Sequence, residues 1–249
     1  MNSRIIGRRV AVWSKVASTN DLAAQAASSS ANHGLVILAE EQTSGRGRRG
    51  QAWTSPPGSS ILMSVLLFPT SALDDLAWLT ALGAVAVAEV VTRLAGLDAR
   101  IKWPNDVRVG GRKLAGVLVE RGQGTVLGIG LNVNVDEFPG EIRDSATSLQ
   151  RLLGRPLDRS EVARALIQRL DFHHNQAMIS GADSLNDPYR KLSEHLGRQV
   201  EVTTTTETLI GRLFDLDLRT GLTLKLSEGE DRRIVGRDVV AIVNRDSRG

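Results

Sequence analysis

Between residues 74 and 94 the apolar residues Leu76, Leu79, Leu82, Val87, Val90, Val91 and Leu94 recur at helical spacing, which predicts the longest helix of the chain with one face to be covered. Its most apolar part, residues 81–88, is bracketed by Asp74, Asp75, Glu89 and Arg93, so it reads as too short and too charged at its ends to cross a bilayer. The stripe is therefore core, and Ser71 with Asp74 forms an approximate capping box at its start. A chain of 249 residues, 41% hydrophobic, is long enough to bury such a helix in one large domain, or in one domain with a small partner.

Residues 5–16, 35–41 and 60–67 read as strands, and Thr19-Asn20 caps a short Ala-rich helix that runs through Ala27. After the long helix come three β-type segments, residues 98–103, 107–120 around a Gly110-Gly111 turn, and 124–135, which predict a mixed sheet. Residues 158–178 and 187–196 read as helices, the second opening with Pro188 near its first position and closing at Gly197. Beyond Gly197 the helical period disappears. Short runs rich in Val, Thr, Leu and Ile predict a small β-barrel of about 50 residues. The expected class is α+β, with domains at residues 1–197 and 198–249.

With no cysteine, the chain has no disulfide framework, no thiolate metal site and no way to hold a substrate as a thioester on its own sulfur. The basic N-terminus lacks a long apolar run and a small-residue cleavage site, so no signal peptide is read and the expected location is the cytoplasm. Lysine and arginine exceed aspartate and glutamate by 31 to 28, and the segment Gly45-Arg-Gly-Arg-Arg-Gly50 holds as many arginines as that whole excess. Positive charge concentrated in one loop suits a compact anion better than the long footprint of a nucleic acid.

That loop, with Gln42 before it and Trp53 after it, lets the backbone approach a ligand and offers guanidinium forks to phosphate or carboxylate. It has neither the Walker A nor the GxGxxG pattern, and on composition alone a solvated basic loop or an RNA contact is equally open. In Lys102-Trp-Pro-Asn-Asp106 the proline forces an extended Trp103 and a turn that gathers Lys, Asn and Asp at a strand end. An ordinary Pro-Asn-Asp turn has the same appearance. Arg112-Lys-Leu-Ala-Gly116 runs into a strand and brings Lys113 across a hairpin from Lys102, although hairpin lysines are commonly solvent-exposed. In Gly128-Ile-Gly-Leu-Asn-Val-Asn134, Asn132 and Asn134 share one strand face, and the two glycines admit a close ligand or mark a bulge. The four histidines have no ligand-spaced partners, and no GxSxG elbow occurs.

Taken in order, Ser18-Thr-Asn20, Gln42 with the Gly-Arg loop and Trp53, KWPND, RKLAG with VLVE, and GIGLNVN closely resemble a biotin protein ligase. The resemblance spans residues 18–134, and the C-terminal part is similar to that family's only in size and β-texture. It implies a biotin ligase core like that of class II aminoacyl-tRNA synthetases, with a C-terminal SH3-like barrel. By position, Ser18, Thr19, Asn20 and Gln42 match residues around the biotin ureido ring, and Gly45, Arg46, Gly47 and Arg48 match the biotin- and phosphate-binding loop. Trp53 matches the residue that packs where the loop closes, Lys113 the lysine beside the biotin carboxylate, and Gly116 the small residue that leaves room. Arg48, Arg49, Lys102, Asn105, Asp106 and Asn132 match positions around the adenylate, with Asp106 also a candidate for Mg²⁺. No tryptophan of the kind that stacks on adenine in some relatives follows Asn134.

The implied chemistry is attack of the biotin carboxylate on ATP to give biotinyl-5′-adenylate, then transfer to a lysine of a biotin carboxyl carrier domain. Lys113, Arg48 and Asp106 are the expected catalytic set, ATP and biotin the substrates, and Mg²⁺ the accompanying ion. The enzyme is expected to act as a monomer or homodimer, without a membrane. Only 17 residues precede Ser18, too few for a helix-turn-helix, so no DNA binding is expected. A lipoate ligase on the same core is the enzymatic alternative, and an RNA-binding module using the Gly-Arg loop is the non-enzymatic one.

Overall fold

The computed structural model describes residues 3–70, 73, 75–227 and 229–245. Seven strands form the larger sheet: β1 (Val10–Val16), β2 (Val36–Gln42), β3 (Ser60–Leu67), β4 (Ala99–Lys102), β5 (Asp106–Val109), β6 (Arg112–Arg121) and β7 (Thr125–Asn132). Their spatial order is β1-β2-β3-β7-β6-β5-β4, with β1 parallel to β2 and every other pair antiparallel. The mixed sheet expected from the sequence is therefore present.

The long helix is α2 (Leu76–Ala95), which lies on one face of this sheet against α4 (Arg159–Ser180). Its twenty residues are enough to cross a membrane by length and composition, so the shortness inferred from residues 81–88 is corrected. What makes it a core helix is burial, with Leu79, Leu82, Val85, Val87 and Val91 wholly enclosed. The cap is Asp75, whose carboxylate accepts the Ala77 N–H at 2.7 Å, while Ser71 and Asp74 lie outside the described residues. Gly96 ends the helix in the left-handed conformation.

The opposite face carries α1 (Thr19–Gln25). Its cap position is Ser18, not Thr19-Asn20, and Thr19 and Asn20 sit in the first turn facing the sheet. The first predicted strand starts five residues late, because Arg4, Ile5 and Ile6 give their N–H groups to the Asp171 carboxylate at 2.7, 2.8 and 2.8 Å. Those bonds use the donors a strand would have supplied to its neighbour.

After α3 (Leu149–Leu153), α5 (Asn186–Leu192) closes at Ser193, earlier than expected. Gly197 instead turns the chain with φ +80° into a second, antiparallel sheet of β8 (Gln199–Thr204), β9 (Thr208–Asp217), β10 (Gly221–Lys225), β11 (Asp231–Ile234) and β12 (Val239–Asn244). Its order is β11-β10-β9-β8-β12, and β11 is the strand its polar sequence concealed. The second sheet is fastened to α5 by Asn186, which donates to Asp217 and accepts from the Leu218 N–H, and by Arg190, which donates to the Leu216 carbonyl.

Candidate active site

Strand register builds the floor of a cleft. Ser64 on β3 pairs with Gly128 on β7, which pairs with Leu118 on β6. One step along, Leu62, Gly130, Gly116 and Asp106 align across β3, β7, β6 and β5. Directly paired residues point to the same side, so these positions share the face opposite α2. Gly128 and Gly130 leave that face bare, and both vacancies are used. A Cβ on Gly128 would collide with Asn20 Oδ1 and stand 2.9 Å from its Nδ2, and one on Gly130 would come within 2.6 Å of Trp53 Cζ2.

The roof is the Gly-Arg loop, folded as a narrow hairpin. Gly47 donates to the Gln51 carbonyl at 2.6 Å, Trp53 donates to the Gly45 carbonyl at 2.9 Å, and Arg46 bridges Ala52. The tip turns at Arg49, whose φ of +55° is the one positive value among the described non-glycine residues. The Trp53 indole descends from this roof onto Gly130, its Nε1 buried without a hydrogen-bond partner, and the Lys113 ammonium stands 5.8 Å from its ring centroid. Floor and roof bound a narrow cleft that is open on one side.

One end of the cleft is a chain of neutral polar groups. The Thr19 N–H and hydroxyl both donate to Gln42 Oε1, at 2.8 and 2.9 Å. Ser64 Oγ lies 2.7 Å from Thr19 Oγ1 and 2.5 Å from Asn20 Oδ1, and its single proton serves one of them. Asn20 Nδ2 donates to Glu120 at 2.5 Å. Arg46 closes this end from outside, its guanidinium on Asp21 at 2.6 and 3.1 Å and on Glu120 at 3.2 and 3.3 Å, so its charge is balanced and held on more firmly than usual.

The other end is cationic. Lys113 Nζ is 2.7 Å from Asp106 Oδ1, and Arg48 donates to Asn105 Oδ1 at 3.2 Å. Asn105 is fixed in turn by donating to the Val117 carbonyl at 3.0 Å, in the turn after the cis Trp103-Pro104 bond. Burial, and then Arg49, make the Arg48 guanidinium easier to deprotonate than usual, and no carboxylate among the described residues pairs with it. Lys102 is lowered likewise by burial and by Arg108. Such underpaired cations are ready for an anion.

Of the residues singled out from the sequence, Ser18, Thr19, Asn20, Gln42, Arg46, Gly47, Arg48, Trp53, Asn105, Lys113 and Gly116 line the cleft. Gly45 supports the roof through its carbonyl, and Asp106 reaches the site through Lys113. Lys102 lies one strand farther out, paired with Asp106. Arg49 points away, donating to the Val240 carbonyl of the second sheet at 2.8 Å. Asn132 ends β7 buried outside the lining, its amide donating to the Thr147 carbonyl at 3.1 Å. Asn134 is not beside the cleft either, since it clasps the Leu157 backbone through both amide atoms. Sequence reasoning missed Ser64 and Glu120. Ser64 is the one polar residue inside the apolar strand Ser60–Leu67, a readable signal, whereas Glu120 meets Asn20 across 100 positions with no local trace. No cluster of three or more His, Cys, Asp or Glu suited to a metal exists among the described residues.

The mixed sheet thus carries a roofed cleft, hydrogen-bonded and charge-balanced at one end and cationic at the other. Residues 12–136 match the sequence profile of the Biotin/lipoate A/B protein ligase family. The chain is 36% identical over 201 residues to the biotin--[acetyl-CoA-carboxylase] ligase of Mycobacterium tuberculosis, covering 78% of this chain and 74% of that protein. It is 30% identical over 237 residues to the bifunctional ligase/repressor BirA of Bacillus subtilis, covering 92% and 73%. Among solved structures, the biotin protein ligase of Aquifex aeolicus in complex with biotin and ATP superposes with a TM-score of 0.84 at 26% identity, covering 95% of this chain and 99% of that one. The chain belongs to the Biotin/lipoate A/B protein ligase family, and within it is an enzyme of the biotin protein ligase class.

Proposed function

We propose that this enzyme activates biotin as biotinyl-5′-adenylate and transfers it to a lysine of a biotin carboxyl carrier domain. The supporting observation is the order of parts along the cleft: the Gln42-Thr19-Ser64-Asn20-Glu120 chain at one end, a bare backbone floor under Trp53, then Lys113 and Arg48. Biotin has the same order, a ureido group with donors and an acceptor, an apolar bicycle and chain, and a carboxylate. Lipoate has no ureido group and would leave that buried polar end unmatched, which is costly. Ser18, Thr19, Asn20 and Gln42 are thus the proposed ureido side of the site, with Trp53 and Gly116 bounding the bicycle.

A carboxylate and a triphosphate repel each other, so the first requirement is to hold them in contact. Lys113, kept at the cleft wall by Asp106, and Arg48, braced by Asn105, supply positive charge on both sides of the reacting oxygen. The biotin oxygen forms a bond to the α-phosphorus as the bond to the β-phosphate oxygen breaks and pyrophosphate leaves. The neutral carrier amine then attacks the acyl carbon and gives up a proton to solvent as the amide forms, and AMP departs with the electron pair of the cleaved C–O bond. No nucleophile on the enzyme is needed, in keeping with the absence of cysteine. Until the carrier arrives the anhydride must be kept from water, and the Gly45–Trp53 hairpin is the proposed cover.

A magnesium ion fits only as an ion brought in on the triphosphate, because Asp106, the carboxylate nearest the cleft lysine, is already bound to Lys113 and no metal-binding cluster of three or more His, Cys, Asp or Glu occurs among the described residues. When bound there it would offset phosphate charge.

The decisive test is ATP-pyrophosphate exchange with biotin, lipoate or no acid. Exchange should require biotin and fall by roughly 100-fold or more in Lys113→Ala and Arg48→Ala. Exchange with lipoate alone would refute the assignment of substrate.

A further inference from the structure

Beyond Lys113, on the same face of the sheet, lies a second group of cations that the cleft itself does not use. Arg108 pairs with Lys113 just past a β-bulge that follows Val107, and Lys102 pairs with Asp106. Alternation along β5 puts Arg108 on the face of Asp106, whose carboxylate holds Lys113, and neighbouring strands are about 4.8 Å apart, so Arg108 stands about one strand spacing from the cleft lysine. Its side chain is three-quarters buried, and its Nε is enclosed with no hydrogen-bond partner. Glu194, the carboxylate facing it, stays at 3.7 Å, beyond hydrogen-bond distance. The Glu194 backbone is tied to the Ile101 carbonyl at 3.0 Å, and Ile101 bridges Ser193.

A guanidinium that has lost water from Nε without gaining an acceptor is an anion site with much of its desolvation cost already met by folding. The local balance agrees. Arg48, Lys102, Arg108 and Lys113 face two carboxylates, Asp106 and Glu194, so positive charge remains in excess. Burial raises the Glu194 carboxyl, and burial together with Arg108 lowers Lys102.

Resting on the reading that the cleft adenylates biotin, we propose that Arg108, assisted by Lys102, binds the β and γ phosphates of ATP and the pyrophosphate that leaves. An α-phosphate held at Lys113 sends its leaving group outward from the biotin carboxylate, and in-line displacement requires that direction. The next fixed positive charges on that path are those of Arg108 and Lys102. An arginine that only anchored Glu194 would close the 3.7 Å gap and satisfy its Nε.

The test separates the two half-reactions. In the exchange assay, Arg108→Met should raise the KM for pyrophosphate and for ATP by roughly 10- to 100-fold. The biotin Kd, and the rate at which supplied biotinyl-5′-adenylate modifies a carrier lysine, should stay within about twofold, since neither involves the β and γ phosphates. Arg108→Lys should recover part of the loss. A merely structural Arg108 would lower the melting temperature and slow both half-reactions alike, and that result overturns the proposal. An unchanged pyrophosphate KM beside a wild-type enzyme that exchanges normally overturns it too. A wild-type enzyme without biotin-dependent exchange would refute the adenylation reading instead, and calorimetry of pyrophosphate with the wild type and Arg108→Met then decides the site, with equal affinities counting against it.

Discussion

Gly128→Ala adds one methyl group at the most crowded point of the polar end. The new Cβ would press on Asn20 Oδ1 and lie 2.9 Å from Nδ2 and 3.0 Å from Cγ, short of a comfortable heavy-atom separation by roughly 0.5–1 Å. Asn20 cannot yield by that amount and keep its partners, because Ser64 holds one side of the amide and Glu120 the other, each at 2.5 Å. A neutral hydrogen bond contributes about 1 kcal/mol net and one to a charged group about 2, so losing both costs about 3 kcal/mol. If the amide is displaced from the ligand's path as well, biotin affinity should fall by about 10- to 100-fold. Overpacking should cost about 1–3 kcal/mol of stability, a drop of about 2–4 °C in melting temperature for each kcal/mol.

Titration calorimetry with biotin and thermal unfolding measure the two effects separately. Gly140→Ala is the control, since nothing lies within 4 Å of its Cβ position. In an Asn20→Ala background the clash has no target, so Gly128→Ala should add little further loss of affinity. The reasoning fails if Gly128→Ala binds biotin within twofold of wild type, or if its loss is just as large without the Asn20 side chain.

Three other outcomes are expected. His174 and His195 are held down to about 4 by burial, against an ordinary 6.5, so the unfolded chain binds more protons below pH 6.5. Stability should therefore be complete above that pH and fall as pH drops toward 4, by roughly 2 kcal/mol per histidine at pH 5; a melting temperature that is flat from pH 7 to 5 would contradict this. Asp171→Asn, which weakens the anchor for three backbone N–H groups, should lower stability by about 1–3 kcal/mol while leaving the biotin Kd unchanged, as read by denaturant titration and calorimetry. Residues 45–58, with few apolar anchors apart from Trp53, should gain hydrogen-exchange protection when biotin is added, and equal protection with and without it would count against a closing roof.

Most of the cleft was legible because its parts are local in sequence: a tripeptide at the start of α1, a Gly-Arg loop, a turn after Pro104 and a lysine two strands later. Their residue types stand out from an otherwise alternating β-pattern, and strand geometry brings them to one face. What failed to show were relations across long intervals. The Asn20-Glu120 bond joins residues 100 apart, and Asp171 ends the first predicted strand from 165 or more positions away. Alternation put Asn132 and Asn134 on one strand face and the family resemblance set Asn132 near the adenylate; in the structure each amide is claimed by the backbone of the segment after β7, which the strand period does not describe. Gly197 was taken as a helix end because glycine is common just past the last helical residue, whereas the helix had already stopped and the left-handed φ of Gly197 turns the chain into a strand.

The alternation of β7 explains how one strand serves the core and the site together. Leu127, Ile129 and Leu131 are buried against the α2 side, where apolar area sustains the fold, while Gly128 and Gly130 take the intervening positions on the other side. Glycine inside a strand weakens it by roughly 0.5–1 kcal/mol per position. Full pairing with β3 on one side and β6 on the other offsets that loss, so the bare face can exist only on a central strand. Bare backbone also needs a cover, and Trp53 provides one from a hairpin that belongs to neither sheet. On the proposed reading the roof serves twice, shielding the floor when the cleft is empty and the ligand when it is filled. A glycine floor under a tryptophan would then let the same indole do both, since it would have only to rise from Gly130 by the thickness of what enters beneath it.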